Sequence, residues 1–245
     1  IKIGLGQLKT RGKRVISVNP VQTGYAAISD DWYSVTPGTD GLLILSLIRE
    51  LMLSGNIDIG YLRRYTNAPW LVIRNPGAAD DGLFWRDDND PPQIIDSKTG
   101  KPVAHDTKSA KAALKGEIKL PNGSVAVPAF VLMAEAYLDD AYDPDAIADT
   151  VGISADRIRQ LAVDLAEAAF AREVVINQPW TDWKGERHEK MIGRPVSMHA
   201  MRGISAHSNG FQTCRALHVL QLILGSVETP GGFRFKPPYP KPPEV

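Results

Sequence analysis

The rhythm of apolar and polar positions changes several times along this chain. Val15-Ile16-Ser17-Val18 is a short apolar run that stops at Asn19-Pro20, which predicts a buried strand ending in a turn. From Asp40 to Met52, the residues Leu42, Leu45, Ile48, Leu51 and Met52 recur at spacings of three and four. That spacing predicts an amphipathic helix closed near Gly55. Ahead of both, "IKIGLGQLKTRG" reads as the second half of a helix, with Gly12 just past its end. Residues 1–55 therefore follow the order helix, strand, loop, helix, which suits a parallel α/β sheet.

Residues 56–127 lose this rhythm. "RNPGAADDGLFWRDDNDPPQIIDSKTGKPV" is dense in Asp, Gly, Pro and Asn and predicts a long irregular excursion. "EIKLPNGSVAV" predicts a hairpin turning at Asn122-Gly123. Helical character returns at Pro128. Asp143 to Thr150 reads as a short helix, and "SADRIRQLAVDLAEAA" as a strong one, with Ser154 as cap and Ile158, Leu161, Leu165 and Ala168 as its apolar stripe. Val174-Val175-Ile176 predicts a strand, and a second is expected near Val196 to Met201. A helix follows from about Gln212 to Leu224, closed by Gly225. The segment 128–232 thus repeats the α/β alternation, and 233–245 is a proline-rich extended tail.

Composition narrows the classes. The 245 residues carry 28 basic and 28 acidic side chains, so charge gives no reason to expect nucleic acid or an anionic membrane surface as a partner. No apolar run approaches the ~20 residues that a membrane-spanning helix needs. Cys214 stands alone, which excludes an internal disulfide or a four-cysteine metal site within these residues. The start at Ile1 and the tail suggest a piece of a longer polypeptide.

Several candidate sites can be weighed on residue chemistry. Gly4 and Gly6 lack the third glycine of a dinucleotide fingerprint, since Lys9 stands there, and they precede the strand instead of following it. Asn19 and Asp40 are better placed. An amide past a strand's carboxyl end can bond ribose hydroxyls, and a carboxylate matches the two adjacent N–H donors of guanine. The plainer alternative is a turn at Asn19-Pro20 and a helix cap at Thr39 or Asp40. "MRGISAHSNGFQTCRA" sets small donors and one imidazole between Gly203 and Gly210, directly before a helix whose N–H groups favour anions. The alternative there is a polar surface loop. His199, His207 and His218 lack the spacing of a helical metal pair, so no metal ligand is assigned. Trp180 and Trp183 read as packing residues, and Cys214 as a small apolar one.

In combination these stretches resemble the molybdopterin oxidoreductases of the dimethyl-sulfoxide-reductase superfamily. "GKRVISVNPVQTGYAAISDDWYSVTPGTDGLLILSLIRELM" is similar to the family's strand, Asp-Pro turn, Pro-Gly-Thr-Asp and helix. "YDPDAIADTVGISADRIRQLAVDLAEAA" resembles the helical pair that follows. "RGISAHSNGFQTCRALHVLQLILGSVETPGG" resembles the glycine-bracketed loop near the pterins. The excursion, the Trp-bearing insert and the tail look most like the branch that acts on sulfur compounds, the sulfite dehydrogenases and the polysulfide or thiosulfate reductases.

The resemblance implies a fold of Rossmann-like parallel sheets flanked by helices, with residues 1–55 in a guanine-dinucleotide-binding domain and a pterin-facing loop within 128–232. It implies bis-molybdopterin guanine dinucleotide carrying molybdenum or tungsten, with a 4Fe-4S cluster and the metal's side-chain ligand both upstream of Ile1. It further implies three partners: an iron–sulfur electron-transfer subunit, a membrane-anchor quinone-reactive subunit, and a small sulfur-containing substrate. The positions carried over are Asn19, Pro20, Gln22, Thr23, Pro37, Gly38, Thr39 and Asp40 on the guanosine side. On the pterin side they are Arg202, Gly203, Ile204, Ser205, His207, Asn209 and Gly210. Asn19 stands where the family more often has Asp, Val21 where a basic residue is common, and Ala206 where some relatives carry glutamine. A metal-free scaffold and a plain guanine-nucleotide binder are the alternatives from other classes.

Overall fold

A computed structural model describes residues 2–86, 91–200 and 202–233. In chain order the elements are α1 (Lys2–Thr10), β1 (Ile16–Val18), β2 (Asp31–Tyr33), α2 (Asp40–Leu53), α3 (Ile59–Tyr65), β3 (Leu71–Arg74), β4 (Gln93–Ile95) and β5 (Pro102–Ala104). There follow β6 (Ile118–Lys119), β7 (Val125–Pro128), α4 (Ala129–Tyr137), α5 (Pro144–Val151), α6 (Ala155–Ala166), β8 (Val174–Ile176), β9 (Trp180–Thr181), β10 (Arg187–His188), β11 (Met191–Gly193) and α7 (Gly210–Ile223). They fall into two compact units.

The first unit comprises Ile1–Leu51, Asp139–Asp164 and His199–Leu220. Helix α1 ends as expected, with Gly12 left-handed at φ 69°. Strand β1 pairs in parallel with β2, Ile16 opposite Asp31 and Val18 opposite Tyr33. A single partner strand leaves β1 half-covered, and Val18 is exposed, so the expected buried strand is an edge strand. Along α2 the predicted stripe is too narrow. Leu43, Ile44, Leu47, Ile48 and Leu51 are buried while Leu42 and Leu45 are half-buried, so the helix is enclosed on most sides. The buried Arg49 on α2 is matched by carboxylates. Its guanidinium reaches Asp140 at 3.0 Å and Asp143 at 2.9 Å, and Asp143 in turn caps α5 through the Asp145 N–H. Helix α6 buries Ile158, Leu161 and Ala162, as its period requires.

The second unit comprises Met52–Leu138, Leu165–Met198 and Gln221–Val245. Its core is a three-stranded antiparallel sheet in the order β3-β7-β6, with Leu71, Ile95, Leu120 and Ala126 packed together and Ile73, Trp85, Ala113 and Ile118 around them. The expected hairpin at Asn122-Gly123 is β6–β7. The expected irregular excursion carries short elements: residues 56–128 hold α3 and five strands of two to four residues, joined by turns and loops. Strands of two to four residues are too short to show alternation, and the turn residues between them dominate the sequence signal.

The expected parallel pairing is found in one place. Among the described residues β1–β2 is the parallel pair, and the pairings β3–β7, β6–β7, β4–β5, β8–β11 and β9–β10 are antiparallel. Neighbouring segments close antiparallel pairs through turns, whereas parallel pairing needs a long crossover. Strand β8 forms at Val174–Ile176, but its partner is β11, not a strand near Val196 to Met201. Pro195 lacks the N–H that a ladder needs, and residues 196–200 hold no strand. Met201 and residues 234–245, where the extended tail was expected, lie outside the described residues.

Candidate functional site

The two stretches chosen for their chemistry meet in the first unit. At Asn19 the chain leaves β1, its N–H donating to Tyr33 O at 3.0 Å and its carbonyl accepting Trp32 Nε1–H at 2.7 Å. The Asn19 side-chain oxygen accepts the Val21 N–H at 3.0 Å, a local turn that fixes the amide and turns the chain past Pro20. Its NH2 group has no partner among the described residues. Gln22 and Thr23 lie on the exposed turn that follows.

The second bend is Pro37-Gly38-Thr39-Asp40. Thr36 O accepts both the Thr39 N–H at 3.1 Å and the Thr39 hydroxyl at 2.8 Å. Gly38 sits at φ 86°, a left-handed conformation that glycine adopts without the penalty a Cβ would bring. Thr39 O accepts the N–H groups of Leu42 and Leu43, so Thr39 is the cap position of α2. Asp40 is the first helical residue, and its carboxylate has no hydrogen bond or ion pair among the described residues. The end of α5 braces this bend: Thr36 N–H donates to Val151 O at 2.9 Å, and a Cβ on Gly152 would lie 2.9 Å from Thr36 Oγ1.

The third piece is the turn before α7. Ser205 Oγ donates to Arg202 O at 2.9 Å, Ala206 N–H to Gly203 O at 3.1 Å and Gly210 N–H to His207 O at 2.9 Å. Thr213 donates its N–H and its hydroxyl to Asn209 O, at 3.0 and 3.2 Å. A Cβ on Gly210 would lie 2.2 Å from Ser205 O, so this glycine lets the turn close against the start of the helix. Arg202, Gly203, Ser205, His207 and Asn209 are exposed and Ile204 is half-buried.

Two approaches join the pieces. A Cβ on Gly41 would lie 2.9 Å from Thr213 Oγ1, and one on Gly38 would lie 3.8 Å from His207 Nδ1. Helices α2 and α7 therefore start side by side, with the His207 imidazole next to the Pro37-Gly38 bend. Each helix start carries unpaired N–H groups and the positive end of a dipole. Together they favour an anion, while Asp40 offers a carboxylate to a group with paired N–H donors. Gly41, Gly152, Thr36 and Thr213 were not singled out from the sequence. A small residue in a helix's first turn is the one signal that could have marked Gly41 and Thr213.

Elsewhere the chemistry is structural. Among the described residues, Asp182, Glu186 and His188 bring ligand atoms within 4.8 Å of one another. Arg64 already pairs with both carboxylates, at 3.2 Å to Asp182 and 2.9 Å to Glu186, and His188 Nε2 lies 3.2 Å from Asp182. A fixed guanidinium thus supplies the positive charge that a metal would bring. Burial works against the Asp182 charge, but the Glu186 N–H, His188, Arg64 and the Lys184 N–H outweigh it and hold the carboxyl below its ordinary range. Trp180 stacks on His188 at 4.6 Å within this insert, whereas Trp183 is largely exposed and ties the insert to α3, its Nε1 donating to Arg64 O at 2.9 Å. His199 and His218 do not join such a cluster, and Cys214 is half-buried in α7. Among the described residues no helix is long and apolar enough to cross a membrane.

No protein-family model matches the chain. Among curated proteins, the A subunit of sulfite dehydrogenase from Allochromatium vinosum is 43% identical, covering 99% of this chain and 26% of its own length. The putative dimethyl sulfoxide reductase catalytic subunit of Halobacterium salinarum is 31% identical over 64% of this chain and 19% of its own. Respiratory nitrate reductase 2 alpha chain of Escherichia coli is 27% identical over 49% of this chain and 10% of its own. The chain thus spans about a quarter or less of the length of these relatives. Among solved structures, acetylene hydratase from Pelobacter acetylenicus shares the fold, with a TM-score of 0.52 and 17% identity over 93% of this chain and 19% of that one. Such relatives are catalytic subunits of one enzyme family, and the chain belongs to it: the molybdopterin oxidoreductases.

Proposed function

We propose that these residues hold the guanosine end of a molybdopterin guanine dinucleotide and offer a loop to its pterin, within an enzyme that acts on a sulfur compound. The observation that carries this reading is the Asp40 carboxylate, without a partner among the described residues, at the start of α2 and beside the start of α7. In this reading Asp40 accepts the ring N–H and exocyclic amine of guanine, and Thr39 fixes the bend that aims it. The Asn19 NH2 donates to a ribose hydroxyl, with Pro20, Gln22 and Thr23 forming the rim. The N–H groups at the starts of α2 and α7 receive anionic phosphate oxygens. His207 and Asn209 face the pterin, and Gly203 and Gly210 let Arg202, Ile204 and Ser205 approach it. When bound, the molybdenum (or tungsten) cofactor supplies two-electron oxidation–reduction; the residues here bind and orient it.

Residues 1–55 supply the guanosine side and residues 128–232 the pterin-facing loop. The β1–β2 pair is the edge of a larger Rossmann-like sheet in the complete enzyme. A second pterin dinucleotide and a 4Fe-4S cluster complete its cofactors. An iron–sulfur electron-transfer protein and a membrane-anchor protein complete the proposed assembly. The sulfur assignment rests on the 43% identity to a sulfite dehydrogenase, so sulfite, polysulfide or thiosulfate is the proposed substrate.

The test is titration of the protein with GMP. Removing a charged acceptor of two hydrogen bonds in Asp40→Ala should weaken binding about tenfold or more, with Asp40→Asn in between. Equal GMP affinity in the wild type and Asp40→Ala would remove the guanine role from Asp40.

A further inference from the structure

Helix α4 is out of character with its sequence. AFVLMAEAY carries a single charged side chain, Glu135, and a helix that is apolar on nearly every side is ordinarily buried. Here Phe130 alone is buried, whereas Val131, Leu132, Met133 and Ala134 are each left half-covered. The helix itself is firmly anchored. Ala129 and Phe130 donate their N–H groups to Trp70 O and Ala68 O, both at 2.8 Å, and Leu138 donates to Ala134 O at 2.9 Å to close the last turn. A cavity of about 300 Å³ opens along it, lined by Phe130, Val131, Ala134, Leu138, Lys115 and Glu135.

The two charged residues of this lining differ in their company. Glu135 is paired with Arg74, which also feels the charge of Glu117. Lys115 has no ion pair or hydrogen bond among the described residues. Its backbone is fixed on both sides: Leu114 is buried, and Gly116 sits at φ 109°, where an added Cβ would lie 3.3 Å from Ile95 Cδ1. The surface of the cavity is apolar, so a peptide backbone laid in it would leave its N–H and C=O groups unpaired. A hydrocarbon chain makes no such demand. At the ~30 Å³ that one water molecule occupies in the liquid, the volume holds about ten non-hydrogen atoms, too few for a lipid with two acyl chains.

We propose that this groove binds a free alkyl carboxylate of medium length, about eight to ten carbons, with its tail along α4 and its head on Lys115. Phe130, Val131, Ala134 and Leu138 cover the tail, and the ammonium of Lys115 selects a negative head over a positive one. Binding is reversible and involves no chemical change. The site lies wholly within the second compact unit and uses none of the residues proposed to hold the cofactor.

The experiment is calorimetric titration of the full-length protein with hexanoate, octanoate and decanoate below their micelle concentrations. Each added methylene that is buried should tighten binding about three- to fourfold. Decyltrimethylammonium, with the opposite head charge, should bind more weakly than decanoate. Lys115→Gln should weaken decanoate about two- to fivefold and leave decanol unchanged, whereas Ala134→Leu, which fills the groove, should weaken both. The chain-length series on the wild type tests the proposal even where a variant is less stable. Absence of saturable decanoate binding would overturn the proposal, since a groove covered by another part of the polypeptide or by a partner gives that result. Affinity that does not rise with chain length, or that ignores both substitutions, would overturn it as well.

Discussion

At the scale of single residues, the candidate site is held by positions where a side chain is forbidden as much as by those that carry charge. Gly210 has no room for a Cβ, since the nearest atom would be the Ser205 carbonyl oxygen at 2.2 Å, and backbone cannot rotate aside. Gly203, seven residues earlier in the same loop, would place a Cβ in open space. Gly210→Ala should therefore lower stability by about 1–3 kcal/mol, with Gly203→Ala within about 0.5 kcal/mol of wild type. Chemical denaturation of the pair checks this, and equal stability of the two variants would contradict the close approach. The contrast was not legible in the sequence, where the two glycines simply bracket a polar loop. Asp40 was legible as a residue facing two fates, cap or ligand. What the sequence lacked was the position of Thr39, whose hydroxyl bonds back to Thr36 and whose carbonyl takes the cap role, leaving the carboxylate free.

Among elements, local period was a good guide and pairing was not. Helices α2 and α6 and the β6–β7 hairpin were legible because their signals lie within a dozen consecutive residues. The direction of strand pairing was not, because it depends on which distant segment supplies the partner. The β9–β10 insert shows how much an element can depend on one buried acid. Asp182 accepts N–H groups from Lys184 and Glu186, both at 2.9 Å, while its other oxygen meets Arg64 and His188. Its carboxyl is held below the ordinary range in the folded chain, so its contribution is present above pH ~4, the unfolded value. That contribution is lost as pH falls through the lowered folded value. Acid titration followed by tryptophan fluorescence should show this loss, and Asp182→Asn should flatten the acid limb while starting lower near neutrality. An unchanged acid limb in the variant would remove Asp182 from that role.

For the whole molecule, the proposed chemistry makes a demand on composition that the chain alone does not reveal. Protein purified from its natural source should carry about one molybdenum or tungsten and several irons per polypeptide, and sulfite should be oxidised faster than formate. Metal analysis and an assay with an artificial electron acceptor check both, and a metal-free polypeptide would sink the enzyme reading. The first compact unit has one further consequence, in time. It is assembled from three separate stretches, the last ending at Leu220, with roughly 170 residues of synthesis between its first stretch and its completion. At about 5–20 residues per second, α2 leaves the ribosome roughly 10–30 s before α7, which starts beside it, exists. Through that interval α2 has its apolar sides uncovered, and the two helix starts that form the candidate site have not met. A nascent chain stalled before Thr213 should bind ribosome-associated chaperones and ignore guanine nucleotides, and one released past Leu220 should do the reverse.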